Sequence, residues 1–79
     1  MYDLFELEHC PYCLKVMGFM NSNNIKYVKH DISNAQEEET LIRLGGKRQV
    51  PFLYEKSTGL KMYESGDIIE YLSASNNQS

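Results

Sequence analysis

His9-Cys10-Pro11-Tyr12-Cys13 sets two thiols one helical turn apart, directly behind an apolar run, and the fold can be read outward from it. Pro11 suits the first position of a helix, where a missing N–H costs nothing, so the helix start falls on Cys10 and Cys13 lies three residues on. Free N–H groups and the positive end of the helix dipole then face the Cys10 sulfur and favour its thiolate, the attacking species in disulfide exchange. Downstream, Cys13, Val16, Met17 and Met20 fall at i, i+3, i+4 and i+7, a core-facing stripe that takes in the second cysteine and leaves out the first. The pattern predicts an exposed, nucleophilic Cys10 and a recessed, resolving Cys13.

Size narrows the choice. A chain of 79 residues holds one domain with a core just large enough to fold unaided. Cysteines this close would close only a very small loop, which constrains an unfolded chain little, so redox or metal chemistry explains them better than a structural staple. Eight Lys and Arg against eleven Asp and Glu give a net charge of -3 and no electrostatic footprint for nucleic acid. Residues 1 to 8 lack the basic start and long apolar stretch of a signal peptide, and nowhere do eighteen apolar residues run together. The expectation is a protein of a reducing cytoplasm with no membrane partner.

Tyr2, Leu4, Phe5 and Leu7, with Asp3 and Glu6 inside the run, suit a strand covered on both faces for most of its length. The helix carries its stripe to Met20 and ends in Asn21-Ser22-Asn23-Asn24. Ile25, Tyr27 and Val28, interleaved with Lys26 and Lys29, predict a second strand, and strand, helix, strand over this length implies a right-handed parallel unit. The cysteines then stand at the carboxyl end of the first strand, where open α/β sheets keep their sites. His30 to Ser33 should leave the sheet. Ser33 or Asn34 can cap a second helix that buries Leu41, Ile42 and Leu44 and ends at Gly45, with Glu37 to Glu39 on a solvated face. Pro51 opens a third strand, Phe52 to Tyr54, which turns through residues 56 to 59 into a fourth, Leu60 to Tyr63. Ser65 is placed as the N-cap of a last helix, with Asp67 in its first turn and Ile68, Ile69, Tyr71 and Leu72 inward. Residues 1 to 73 form the domain, and 74 to 79 a polar tail that should fray.

The order βαβ-α-ββα, with Cys-Pro-Tyr-Cys after the first strand and Val50-Pro51 before the third, resembles glutaredoxins of the thioredoxin fold, an α/β class with a four-stranded mixed sheet flanked by three helices. It is especially similar to the branch related to the N-terminal domain of glutathione transferases, through His9 to Lys15, Gly46 to Pro51 and Tyr63 to Leu72. The resemblance implies a glutathione site. Pro51 would be cis beside the cysteines, and the Val50 backbone would pair with the cysteinyl part of glutathione like an added strand. Glu64 and Ser65 match the pair that holds the γ-glutamyl end. Tyr12 would form one wall, and Lys47, Arg48 or Gln49 would meet the glycine carboxylate. Where many glutaredoxins carry a lysine three residues before the first cysteine, this chain has Leu7.

These expectations combine into a glutathione-dependent thiol-disulfide oxidoreductase, monomeric, with glutathione as cosubstrate and protein or small-molecule disulfides as partners. Cys10 and Cys13 would be catalytic, Pro11, Tyr12 and Pro51 supporting, and Tyr12, Gln49, Val50, Pro51, Glu64 and Ser65 the glutathione contacts. The competing readings are a thioredoxin-like donor reduced by a flavoprotein, and a glutathione- or metal-binding module. A zinc site drawing on Cys10, Cys13, His9 and His30 is disfavoured because His30 stands at a strand end and His9 in the cysteine loop, where it could tune the thiol. No metal is expected.

Overall fold

A computed structural model describes residues 1–76. Its elements in chain order are β1 (Tyr2–Glu6), α1 (Pro11–Ser22), β2 (Tyr27–Asp31), α2 (Ala35–Gly45), β3 (Phe52–Glu55), β4 (Leu60–Tyr63) and α3 (Ser65–Asn76). The strands form one mixed sheet in the order β2-β1-β3-β4, with β1 parallel to β2 and antiparallel to β3, and β3 antiparallel to β4. This is the four-stranded, three-helix arrangement the sequence predicts. None of the helices is long and apolar enough to cross a membrane among the described residues.

The period of two along β1 divides the core between the faces of the sheet. Leu4 packs with Val16, Met20, Leu53, Ile68 and Leu72 under α1 and α3, while Phe5 packs with Ile32, Leu41 and Phe52 under α2. Each of these side chains contributes about 1.5 to 3 kcal/mol by leaving water. β1 is an interior strand paired on both sides, to β2 and to β3, and the turn that follows it leaves from the middle of the sheet. The cysteines sit on that turn.

Several boundaries differ from the sequence expectation, each for a local reason. Helix α1 runs two residues past Met20, because the Asn23 side chain donates to the Phe19 carbonyl at 2.8 Å and Asn24 takes a left-handed φ of 57°. Ile25 is no strand residue: its N–H bonds the Met20 carbonyl at 2.9 Å, and β2 starts at Tyr27. His30 and Asp31 stay in the sheet, opposite Phe5 and Glu6. Of the two residues expected to cap α2, Asn34 does so, accepting from the N–H groups of Gln36 and Glu37. The left-handed cap is Gly46 (φ 89°), so Gly45 closes the helix from inside it. Of the apolar residues on α2 only Leu41 is fully buried, while Ile42 is exposed. Gly45 has a packing reason of its own, since a Cβ there would meet the Tyr63 hydroxyl at 2.0 Å.

The acidic run on α2 is not simply solvated. Glu37 pairs with His30 and Glu38 with Arg48. His30 also donates to Asp3 at 2.8 Å and stacks on Phe5 with ring centroids 4.6 Å apart. Burial alone would lower the His30 pKa, but the two carboxylates outweigh it and raise the value. Helix α3 continues through Asn76, so the start of the expected tail is helical, and residues 77 to 79 lie outside the described residues.

Candidate active site

Cys10 is the N-cap of α1, with extended backbone (φ -84°, ψ 112°), and Pro11 follows at the first helical position. The Cys13 N–H donates to the Cys10 sulfur at 3.3 Å, so one orphan donor of the helix start points at that sulfur. Both cysteines are free thiols. Cys13 is wholly buried, as the stripe predicts, while Cys10 is half-buried and not exposed as expected, its sulfur drawn in to accept the Cys13 N–H. Burial first, then the side-chain contact with Cys10, pushes the Cys13 thiol up to about 12. At neutral pH Cys13 therefore keeps its proton.

Beside this turn lies a groove of about 630 Å³ lined by Tyr12, Gln49, Val50, Pro51, Glu64, Ser65, Gly66 and Asp67. Three different segments of chain meet in it. Tyr12 projects from the first turn of α1 and is 65% exposed, free to wall one side. Val50-Pro51 is a cis peptide bond, and Val50 precedes β3. The far end is the start of α3, where the Ile68 N–H bonds the Glu64 carbonyl at 2.9 Å. The N–H groups of Ser65, Gly66 and Asp67 have no acceptor among the described residues, as expected of a first helical turn. Three residues with free donors thus line the groove at the positive end of a helix dipole, a ready receptor for a carboxylate.

The predicted contacts Tyr12, Gln49, Val50, Pro51, Glu64 and Ser65 all line this one groove. Among the three polar candidates of the preceding loop, the structure separates them. Gln49 lines the groove and its amide donates to Glu64 at 3.3 Å, whereas Arg48 is held by Glu38 and Lys47 lies over the Tyr63 ring. The Tyr63 hydroxyl donates to the Lys47 carbonyl at 2.8 Å, tying that loop down.

Ser65 is corrected from N-cap to first helical residue. The cap position falls to Glu64, in the left-handed region at φ 72°. That backbone turn brings both Glu64 and Ser65 to the groove. Gly66 and Asp67 also line it and were not among the predicted contacts. The available signal was Asp67 itself, an acid in the first turn of the helix that Ser65, a matched γ-glutamyl contact, was expected to begin. His9 has a left-handed backbone (φ 65°), and its ring lies 3.5 Å from the Glu8 carboxylate. Among the described residues no three His, Cys, Asp or Glu side chains are grouped to hold a metal ion.

The sheet order, the cysteine turn at the end of β1 and the cis-proline facing it define a thioredoxin-like domain. More narrowly, residues 4–79 match the family model described as glutathione S-transferase, N-terminal domain, and the chain belongs to that family. It is 39% identical over 69 residues to Glutaredoxin 2 of Escherichia coli, an alignment covering 87% of this chain and 31% of that protein. Among solved structures it is similar to Glutaredoxin 2 from Salmonella typhimurium in complex with glutathione, with TM-score 0.77, 29% identity, and 91% of this chain and 32% of that one covered. A thioredoxin-like protein superposes with TM-score 0.79 at 21% identity, covering 94% of this chain and 96% of its own, a likeness of fold alone. The chain thus spans about a third of the length of the Glutaredoxin 2 proteins it matches.

Proposed function

We propose that this chain is a glutathione-dependent thiol-disulfide oxidoreductase of the glutaredoxin type. The observation that carries the reading is the half-buried Cys10 sulfur at the mouth of α1, with Cys13 buried behind it, beside a groove ending in free helix N–H groups. Kinship with Glutaredoxin 2, and the Salmonella protein's complex with glutathione, support it.

In this reading the Cys10 thiolate attacks the glutathione sulfur of a mixed disulfide. A new Cys10–glutathione disulfide forms, the old S–S bond breaks, and the target leaves as a thiolate that takes up a proton. The glutathione lies with its cysteinyl backbone along Val50 and its γ-glutamyl carboxylate at the Ser65 end of α3, with Tyr12 as a wall and Gln49 near the glycine end. A second glutathione then attacks the bound glutathione sulfur and returns Cys10 as thiolate. On the dithiol route, Cys13 loses its proton, attacks the Cys10 sulfur and expels glutathione, and the internal disulfide is reduced by two further glutathiones. The setting proposed is a monomer in a reducing cytoplasm.

The test is turnover of hydroxyethyl disulfide with glutathione, glutathione reductase and NADPH, run in parallel with thioredoxin reductase in place of the glutathione system. Turnover in the first mixture and none in the second is expected. The reverse pattern would assign the chain to electron transfer from a flavoprotein.

A further inference from the structure

A second groove flanks the cysteine turn on the side away from Tyr12. Tyr12 and Leu14 are two residues apart on α1, about 200° around its axis, so they stand on opposite flanks of the helix start. Leu14, 57% exposed, lines this second groove with Glu6, Glu8, His9, Met17, Lys29 and Asp31, around a volume of about 480 Å³. Three carboxylates thus meet one lysine ammonium. The lining includes Glu8 and His9, the two residues just before Cys10, so the groove adjoins the cysteine turn.

Acidic side chains on a surface are ordinary, but Glu6 is not on the surface. It is 3% exposed, the one buried charged residue among the described residues, and it lies on the same face of β1 as Leu4, beneath α1. Its carboxylate has no hydrogen bond and no ion pair among the described residues, and since no side-chain oxygen there is both sealed from solvent and unpaired, the little exposure Glu6 retains lies at its oxygens, in the groove it lines. A carboxylate with so little access to water is poorly solvated, and a cation entering the groove would offset that. The surroundings act on it in both directions. Burial raises the Glu6 pKa most, Lys29 lowers it, and Asp31 and Glu8 raise it. Asp31, whose carboxyl the Ser33 N–H holds below the usual range, keeps its negative charge at the rim.

We propose that this groove is a cation-accepting subsite for the polypeptide half of a glutathione mixed disulfide, taking a lysine or arginine side chain next to the modified cysteine. Glu6 and Asp31 hold the basic group, and Leu14 and Met17 cover its methylene stem. The inference rests on the exchange chemistry proposed above and names the class of target: disulfides in basic sequence surroundings.

The experiment measures the second-order rate at which Cys10 of the intact chain is modified by cystamine, hydroxyethyl disulfide and dithiodiglycolate, followed by intact mass without glutathione. Each rate is divided by that of free glutathione with the same reagent. The cationic reagent should exceed the anionic one by about tenfold, the scale of a partly desolvated charge contact beside a reacting group. Glu6→Gln and Asp31→Asn should each reduce that ratio, and Glu39→Gln, an exposed change of the same charge elsewhere, should leave it alone. Asp31→Asn keeps the test informative if Glu6→Gln unfolds. A normalised ratio near one, or a preference that survives both groove variants or falls equally with Glu39→Gln, overturns the subsite. The ratio is read without glutathione recycling, so a failure of coupled turnover counts against the preceding proposal and leaves this measurement intact.

Discussion

Two helices begin at the rim of one groove, and they dispose of their free N–H groups in opposite ways. Helix α1 is capped by its own chain, the Cys10 sulfur accepting from the Cys13 N–H. Helix α3 is left open: Glu64 turns left-handed, its carboxyl engages the Gln49 amide, and the donors of Ser65, Gly66 and Asp67 find no acceptor among the described residues. The same physics of a helix start therefore serves two ends. Where a nucleophile fills the cap, the dipole acts on a sulfur; where nothing fills it, the terminus awaits a ligand's carboxylate.

The comparison breaks most decisively at the filled start. Cys10→Ser should lower glutathione-coupled turnover by on the order of a thousandfold or more, because the nucleophile is gone. Cys13→Ser should stay within about tenfold of the parent, since a second glutathione can still resolve the mixed disulfide. Equal losses would erase the assigned difference between the two sulfurs. Gly45→Ala comes next. A methyl 2.0 Å from the Tyr63 hydroxyl must displace that ring and the Lys47 loop it anchors, at about 1 to 3 kcal/mol by chemical denaturation.

Glu64→Gly sharpens the contrast at the open start because stability and affinity should move in opposite directions. Relief of a left-handed non-glycine backbone should add about 0.5 to 1 kcal/mol of stability. Loss of the carboxylate should raise the KM for glutathione by about tenfold, the scale of one hydrogen bond to a charged group. The smallest effect is expected at His30, under α2 and away from both helix starts. Its pKa is raised in the folded state, so the stabilisation from Asp3 and Glu37 is full below the unfolded value near 6.5 and is lost as pH rises through the folded one. His30→Gln should therefore cost about 1 kcal/mol at pH 5.5 and less at pH 9, with turnover unaltered. A turnover defect would place His30 in the site.

The cysteine turn was legible because all its determinants are local. Pro11 marks the helix start, and the spacing of Cys13, Val16 and Met20 marks the buried side of α1. The contacts on the 46-to-51 loop were legible only through family resemblance, since nothing near them in the chain says that they face Tyr12; at Ser65 the helix start added a physical reason, because its hydroxyl and free N–H groups suit a carboxylate. Ser65 is the misplaced cap. By residue type it suits an N-cap, but the left-handed backbone at Glu64 starts the helix one residue earlier, just as residue type alone left Ser33 and Asn34 equally acceptable before α2.

By itself the sequence determined which sulfur is presented and which is stored, because a helix start and a 3.6-residue period depend only on adjacent residues. It also determined the sheet class, since the alternation of strand and helix patterns admits few topologies. Only the tertiary structure decided that Gln49, rather than Lys47 or Arg48, turns into the groove, because Tyr63 and Glu38, distant in sequence, engage the other two. It alone decided that Glu6 is buried without a partner beneath α1, for the partners a carboxylate meets are fixed by which elements fold over it and not by the residues beside it in the chain.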